Sequence, residues 1–404
     1  MTTKNIRAHI KWFQNNKNMI YADSAATSLK PDIVIDTIID YYEQQSSNPH
    51  NNDSTFTYKA YEKLEQARDL VSNLVNVNKE EIIFTSGATE GLSLIAQSME
   101  QILHEGDEII LTKLEHASNL LPWYHLRDKL KIKIIFLEQA SLIPQPEEFI
   151  KKITKKTKLI SFTGMSNLIG VRLDVKTICN KIKKSYPDIL LCLDATQMIP
   201  HKKCDFKEWK LDFGVFSAHK LFGPTGIGAL YIKKELQNIV NPIRFGGGMN
   251  FSINEHNFCY IDGVAKYEGG TPHVAGIYGW IKAIEFLNKI SYDFIEKYEN
   301  KIHDLLVKEL ANCDHLEIYN LNYNTPMLAF NLKGVFAQDL ASYLGKKGII
   351  VRSGLSCAKL MNQLLGTDSL VRASFYIYNS LEEIKEFIKV IKKLTKEEVL
   401  NEII

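Results

Sequence analysis

The chain reads as an α/β protein, a large domain on a mostly parallel sheet followed by a smaller α+β domain. Two observations predict this. Strand-like runs alternate with helix-like stretches through the first two thirds, and several of the runs are continuously apolar, as strands covered on both faces tend to be. From about residue 290 the alternation stops, and two helix-like segments flank two short strands. At 404 residues the chain is long enough to bury the cores of two domains.

In chain order the strand-like runs are Glu81–Phe84, Glu108–Leu111, Ile132–Leu137, Lys158–Phe162, Ile189–Leu193, Phe213–Phe216 and Ala229–Ile232. A helix over Tyr58–Leu74 sets Ala60, Leu64, Ala67, Val71 and Leu74 on one face. Alternation of this kind predicts parallel strands wrapped by helices. A helix near Ile277–Lys289 joins the two parts. Beyond it come helices at Tyr292–Leu310 and Leu381–Leu394, and strands near Met327–Leu332 and Ile349–Arg352. The expected division is 21–290 for the large domain and 1–20 with 291–404 for the small one. Gly246-Gly247-Gly248 is a loop to which the sequence assigns no role.

Composition narrows the function. Apolar residues make up 45% and charged residues 24%, an ordinary globular balance. The net charge of +2 provides no basic field for nucleic acid. No run approaches the ~20 apolar residues of a membrane span, and no apolar leader opens the chain. Six cysteines show neither paired spacing nor metal-ligand spacing, so the expectation is a reduced, cytoplasmic protein without a bound metal. Cys192, inside an apolar run, reads as a small buried hydrophobe. The 42 lysines make any one lysine ordinary, whereas the 7 arginines make an arginine in a motif notable.

One stretch carries recognisable chemistry. Asp194-Ala195-Thr196-Gln197 ends a strongly apolar run. Ser217-Ala218-His219-Lys220 ends the next, ahead of Gly223-Pro224. A lysine that forms a Schiff base, an acid for a pyridinium nitrogen and small polar groups for a phosphate are what pyridoxal 5′-phosphate requires. A buried lysine also loses its charge readily. Gly87-Ala88-Thr89-Glu90 follows a strand and opens a helix, and helix-start N–H groups suit a phosphate. Glu115-His116, Ser166-Asn167 with Gly170, Gly269-Gly270-Thr271-Pro272, Arg352-Ser353-Gly354-Leu355-Ser356-Cys357-Ala358, Val371-Arg372-Ala373-Ser374 and Asp23-Ser24-Ala25-Ala26-Thr27 complete the set.

Taken in chain order, from about Tyr21 to Leu394, the motifs resemble the class V aminotransferase group of fold-type I pyridoxal phosphate enzymes. Within it they resemble the cysteine desulfurases. The short interval from Cys357 to Arg372 is similar to the SUF-type, or group II, class. The resemblance implies a homodimer with the aspartate aminotransferase-like fold that converts L-cysteine to L-alanine. It implies that Lys220 carries the cofactor and moves the α-proton, that Asp194 meets the ring nitrogen, and that His116 stacks on the ring and assists proton transfer. Gln197 and Asn167 would reach the ring's phenolic oxygen. Ala88, Thr89, Ser217 and His219 would hold the phosphate, joined by Thr271 from the other subunit.

The resemblance further implies that Arg372 grips the substrate carboxylate, with Asn167 and the backbone at Ala25 facing the substrate. Cys357 would take the sulfur as a persulfide and pass it to a SufE-like or SufU-like acceptor, for iron–sulfur cluster assembly. A selenocysteine lyase or another class V aminotransferase or C–S lyase is the alternative. Departures from the family pattern stand at Asn51, Ser54, Ser93, Leu355 and Ser356, and Ala218 occupies a position where glycine is frequent.

Overall fold

The computed structural model describes residues 2–50, 53–138 and 141–402, and in it the seven strand-like runs form one sheet. Across the sheet the strands run Ile82–Thr85, Gly228–Ile232, Phe213–Ser217, Leu190–Asp194, Thr157–Thr163, Glu108–Leu111 and Lys133–Phe136. The last five pair in parallel. Gly228–Ile232 is antiparallel to both of its neighbours. The mostly parallel sheet therefore contains one reversed strand. The chain doubles back at the Gly223-Pro224 turn instead of crossing over through a helix, and a short return of this kind imposes the antiparallel direction.

Both faces of the sheet are covered. Along Leu190–Asp194, Leu191 and Leu193 enter one apolar cluster and Cys192 the other, and all three are buried. This is why the run reads as uniformly apolar: both sides of the pleat meet a core.

Helix Thr55–Val75 starts at a capping box between Ser54 and Thr57 and ends at Asn76 in the left-handed region, φ 55°. Its buried face holds Ala60, Leu64, Ala67, Val71 and Leu74, as expected, and one charge that the pattern hides. Arg68 makes a two-pronged pair with Glu268, each bond 2.8 Å long, and Glu268 also accepts the Phe84 N–H at 2.6 Å. The pair ties the Gly269-Gly270-Thr271 loop to the sheet edge. The glycine run packs behind the same loop, where the Gly247 carbonyl accepts the Gly270 N–H at 2.8 Å.

A second, antiparallel sheet contains Leu316–Ile318, Met327–Leu332, Leu370–Ser374 and Arg352–Gly354. The single strand expected at Ile349–Arg352 is in fact two. Ile349–Ile350 pairs in parallel with Ile20–Tyr21, and Arg352–Gly354 pairs with Leu370–Ser374. The chain changes partners at Val351, which a continuous apolar run does not reveal. Helices Tyr292–Leu310 and Leu381–Lys392 cover this part. The division into 21–290 and 1–20 with 291–404 remains a proposal. One apolar cluster contains residues from both parts, with Ile6 and Ile391 in the same cluster as Leu193 and Trp280.

The turn at Gly87 rests directly on the reversed strand. A Cβ on Gly228 would lie 2.7 Å from the Gly87 Cα and 2.7 Å from the Phe216 carbonyl oxygen, both backbone atoms that cannot rotate aside. Gly228→Ala should therefore destabilise the protein by about 1–3 kcal/mol. The shift would be read from the urea midpoint at unchanged slope, and an unshifted midpoint would mean that the turn tolerates displacement.

Candidate active site

Five strands of the large sheet, Ile82–Thr85, Glu108–Leu111, Thr157–Thr163, Leu190–Asp194 and Phe213–Ser217, contribute an end or a following segment to the wall of one cavity of about 250 Å3. Ala25, Ala88, Thr89, His116, Asn167, Asp194, Gln197, Ser217, His219, Lys220, Cys357 and Arg372 all line it. Ligands on sheets of this kind collect at strand ends, so the convergence follows from the topology. Thr271 lies elsewhere, exposed in a separate cleft beside Glu90 and Arg244, with Asn48 Nδ2 at 3.4 Å from its Oγ1.

Lys220 sits on a single 3-10 turn, Ala218–Lys220, directly after strand Phe213–Ser217. Burial, with the Arg372 guanidinium nearby, pushes its amine down to about 7, and Nζ donates to the Ala25 carbonyl. Gln197 Nε2 donates to the same oxygen at 2.7 Å. The Ala25 N–H is held by Ser374 Oγ at 3.0 Å, so both backbone polar groups of Ala25 are engaged. Asp194, 5% exposed, ends strand Leu190–Asp194, where one carboxylate oxygen accepts the Thr196 N–H at 3.0 Å.

His116 Nδ1 accepts the Ser118 N–H at 3.1 Å, so the neutral ring carries its hydrogen on Nε2. Burial holds this imidazole below its ordinary pKa, against the attraction of Asp194, and the positive charges of Lys220 and Arg352 reinforce the effect. His219 is pushed down to about 4 by burial and by the nearby Lys220 and Lys30. The neighbour of His116, Glu115, is fully enclosed. It accepts from Thr112 Oγ1 at 2.5 Å, Asn119 Nδ2 at 2.6 Å and the Thr163 N–H at 3.0 Å, and burial raises it to about 8.

Helix Ala88–Ser98 points its N-terminus into the cavity wall, where the Ala88 N–H donates to Ser217 Oγ at 2.8 Å. A Cβ on Gly87 would meet that same oxygen at 3.2 Å, so a glycine there lets the turn close on the Ser217 hydroxyl. Arg372, 1% exposed, donates to the Asn167 carbonyl at 2.6 Å and to Asp23 Oδ1 at 2.5 Å. Cys357 is exposed at the cavity rim. Ser356 and Cys357 both take left-handed backbone, φ 44° and 63°, a strained arrangement for non-glycine residues. Two bonds hold the loop there: Asn167 Nδ2 donates to the Ser356 carbonyl at 2.6 Å, and the Ala117 N–H donates to the Cys357 carbonyl at 2.8 Å. By contrast, burial pushes the Cys192 and Cys204 thiols up to about 12, and Cys179 higher still.

The cavity fits pyridoxal 5′-phosphate on its own evidence. It joins a buried amine, a buried carboxylate, an imidazole and a helix N-terminus. The buried polar atoms Asn167 Oδ1, Thr196 Oγ1, Ser356 Oγ and Arg372 Nε, which lack hydrogen-bond partners, all belong to residues that line it.

Sequence reasoning missed Arg352, which lines the cavity although it was read only as part of the cysteine motif. The scarcity of arginine was the available signal. Lys30 was missed too; burial lowers it to about 7, and its ammonium reaches the His219 carbonyl at 3.0 Å. Among the departures, Ser54 serves as a helix cap, Ser93 Oγ donates to the Thr89 carbonyl at 2.9 Å, and Asn51 lies outside the described residues. No cluster suited to a metal ion occurs among the described residues, and none of their helices is long and apolar enough to cross a membrane.

Comparison with known proteins places these features in a family. The family model described as Aminotransferase class-V matches residues 20–387. The chain is 52% identical over 393 residues to a probable cysteine desulfurase of Ureaplasma parvum serovar 3, covering 97% of this chain and 98% of that protein. The apo structure of a cysteine desulfurase from Thermococcus onnurineus NA1 superposes with a TM-score of 0.93 at 32% identity, covering 98% of this chain and 99% of that one. The cysteine desulfurase CsdA from Escherichia coli, in an S-sulfonic acid form, superposes with a TM-score of 0.90 at 29% identity, covering 99% of each chain.

The lowered Lys220 amine has a thermodynamic signature. Its folded value of about 7 lies below the ordinary 10.5, so the unfolded chain binds the extra proton between those pH values. Lys220→Met should therefore stabilise the cofactor-free protein near neutral pH by a few kcal/mol, at about 1.4 kcal/mol per pKa unit. The gain should shrink as the pH rises toward 10.5, where the unfolded lysine also becomes neutral. Paired denaturation curves across that range check this, and a constant difference would mean that Lys220 keeps its ordinary pKa.

Proposed function

The chain belongs to the class V aminotransferase family, and we propose that it is a pyridoxal phosphate-dependent cysteine desulfurase that converts L-cysteine to L-alanine. The observation that carries this reading is that a buried, easily neutralised lysine and an exposed cysteine line one cavity. Asp194, His116, Gln197 and Asn167 would hold the cofactor's ring, and Ala88, Thr89, Ser217 and His219 its phosphate. When bound, the cofactor supplies an electron sink for charge developing at the substrate Cα.

The residues of the chain divide the remaining work. Arg372, with Arg352 beside it, offers a planar fork to the substrate carboxylate. Lys220, neutral above about pH 7, removes the α-proton as a general base. Cys357, as thiolate, attacks the substrate sulfur. A sulfur–sulfur bond forms, the Cβ–S bond breaks with its electron pair left on carbon, and protonation of that carbon completes alanine. The cysteine loop is held through carbonyl oxygens, so its thiol stays free to meet substrate and then an acceptor.

The finer readings belong to the same proposal. The short interval between Cys357 and Arg372 supports the SUF-type class, with a SufE-like or SufU-like protein as acceptor and iron–sulfur assembly as the destination. Thr271, outside the cavity of its own chain, supports a homodimer in which it would serve the other subunit. Phe251, Ile253 and Phe258, exposed on the hairpin formed by Asn250–Ile253 and Phe258–Tyr260, offer apolar surface for a second copy to cover. Unpaired cysteines suit a reducing cytoplasm.

Alanine formation from L-cysteine by the purified protein with a reducing thiol tests the activity. Alanine with matching sulfide is expected, and its absence from protein that has bound cofactor would overturn the reading. Cys357→Ala should keep the cofactor but lose the protein-bound persulfide; alanine at the wild-type rate from that variant would remove Cys357 from the mechanism. Lys220→Ala should lower turnover about 10²–10⁴-fold or more. Arg372→Lys should act mainly on KM, and an unchanged KM would argue against the carboxylate role.

A further inference from the structure

A second, smaller cavity shares Lys220 and Gln197 with the main one and is closed by His201, Ser24, Ser28 and Tyr376 among others. Its volume of about 10 Å3 is the least that admits one water. His201 lies seven residues beyond Asp194 in the sequence and is 6% exposed. Its Nδ1 is 2.5 Å from Glu299 Oε1, and Glu299, on helix Tyr292–Leu310, is 1% exposed. The other carboxylate oxygen of Glu299 is held by Arg172.

These contacts assign the hydrogens. With Glu299 Oε2 held by the Arg172 guanidinium and Oε1 the acceptor at the ring, His201 Nδ1 donates. The imidazole Nε2 then carries a free lone pair, and among the described residues no hydrogen bond reaches it. The other polar groups nearby are committed: Tyr376 OH donates to the Pro200 carbonyl at 2.6 Å, and Tyr292 OH to the Ile199 carbonyl at 2.9 Å. The charged and titratable groups around the ring are Glu299, Arg172, these two tyrosines and, across the small cavity, Lys220. An imidazole oriented by a buried carboxylate, with its second nitrogen free, is a base poised to accept a proton and hold it as imidazolium.

We propose that His201 is a proton reservoir for Lys220, with Glu299 as the residue that positions it. The proton that Lys220 takes from the substrate passes through one bridging water to His201 Nε2. An N–H bond of the Lys220 ammonium breaks, an N–H bond forms on His201, Lys220 recovers its lone pair, and no electrons are transferred. The imidazolium is then balanced by Glu299. His201 touches neither substrate nor cofactor and acts only through Lys220. This inference rests on the desulfurase reading.

The test runs the cofactor-loaded protein on L-cysteine deuterated at Cα, in ordinary water, and measures deuterium in the alanine formed. In the wild type, exchange through His201 washes the label out. His201→Gln keeps an amide hydrogen bond to Glu299 but accepts no proton there, so retained label should rise clearly and kcat should fall about 10-fold at unchanged KM. Tyr376→Phe changes the same cavity wall without removing a base, and label retention should match wild type. Wild-type washout in a folded His201→Gln protein would overturn the proposal. Nitrogen NMR of the histidines in the native holoprotein decides independently of any variant's folding. The Nδ1-protonated form of His201 is expected, and a hydrogen on Nε2 would overturn it. Failure of the wild type to make alanine would instead sink the desulfurase reading, leaving the NMR result to judge His201.

Discussion

The site depends on keeping one lysine out of water while its backbone is held still. A lysine amine is a base near neutral pH only when burial removes the hydration that favours its charge. A side chain so buried is useful only if its base cannot drift. The carbonyl of the preceding residue, His219, supplies the anchor. It faces four donors from one N-terminal loop: the Ser28 N–H at 3.0 Å, Thr27 Oγ1 at 3.1 Å, Ser28 Oγ at 3.1 Å and Lys30 Nζ at 3.0 Å. From the same loop, the Ala25 carbonyl receives the Lys220 amine itself. The loop thus grips the residue at both its backbone and its tip.

A second constraint couples the two sheets. Arg372 leaves strand Leu370–Ser374 fully buried, and a buried guanidinium is tolerable only when it is paired. Its partners are Asp23, from the loop that grips Lys220, and the carbonyl of Asn167, whose side chain in turn holds the cysteine loop. One charge therefore ties the N-terminal loop, the Asn167 turn and the smaller sheet together, and Cys357 inherits its position from that arrangement. The strain at Ser356 and Cys357 is borne because one side-chain donor, Asn167 Nδ2, and one backbone donor, the Ala117 N–H, hold the loop's carbonyls.

The large sheet was legible strand by strand, because central strands buried on both faces produce short uniform apolar runs. The direction of Gly228–Ile232 was not legible, since an apolar run has no polarity and only the tight return at Gly223-Pro224 reverses it. The break at Val351 was equally hidden, because exchanging one strand partner for another leaves the hydrophobic pattern unchanged. Twelve of the residues singled out from sequence line one cavity, and Thr271 alone stands apart, in a separate cleft. Arg352 was read only as part of the cysteine motif, without a place in the cavity. Lys30 and the His201–Glu299 pair escaped notice, because each lies in a segment whose local pattern looks ordinary and acquires its chemistry from what folds against it.

The amino-acid sequence by itself determined the chemical inventory: a lysine, an aspartate and a cysteine in separate loops, glycines where backbones meet, and runs that must be strands. It could do so because residue type and short-range periodicity are local properties. The tertiary structure alone decided the working state of those groups. The Lys220 amine falls to about 7 because distant segments exclude water from it. Glu299 faces His201 across 98 residues of chain, and Arg372 meets Asp23 across 349. Burial and pairing at such separations depend on which surfaces pack together, and no local sequence pattern encodes them.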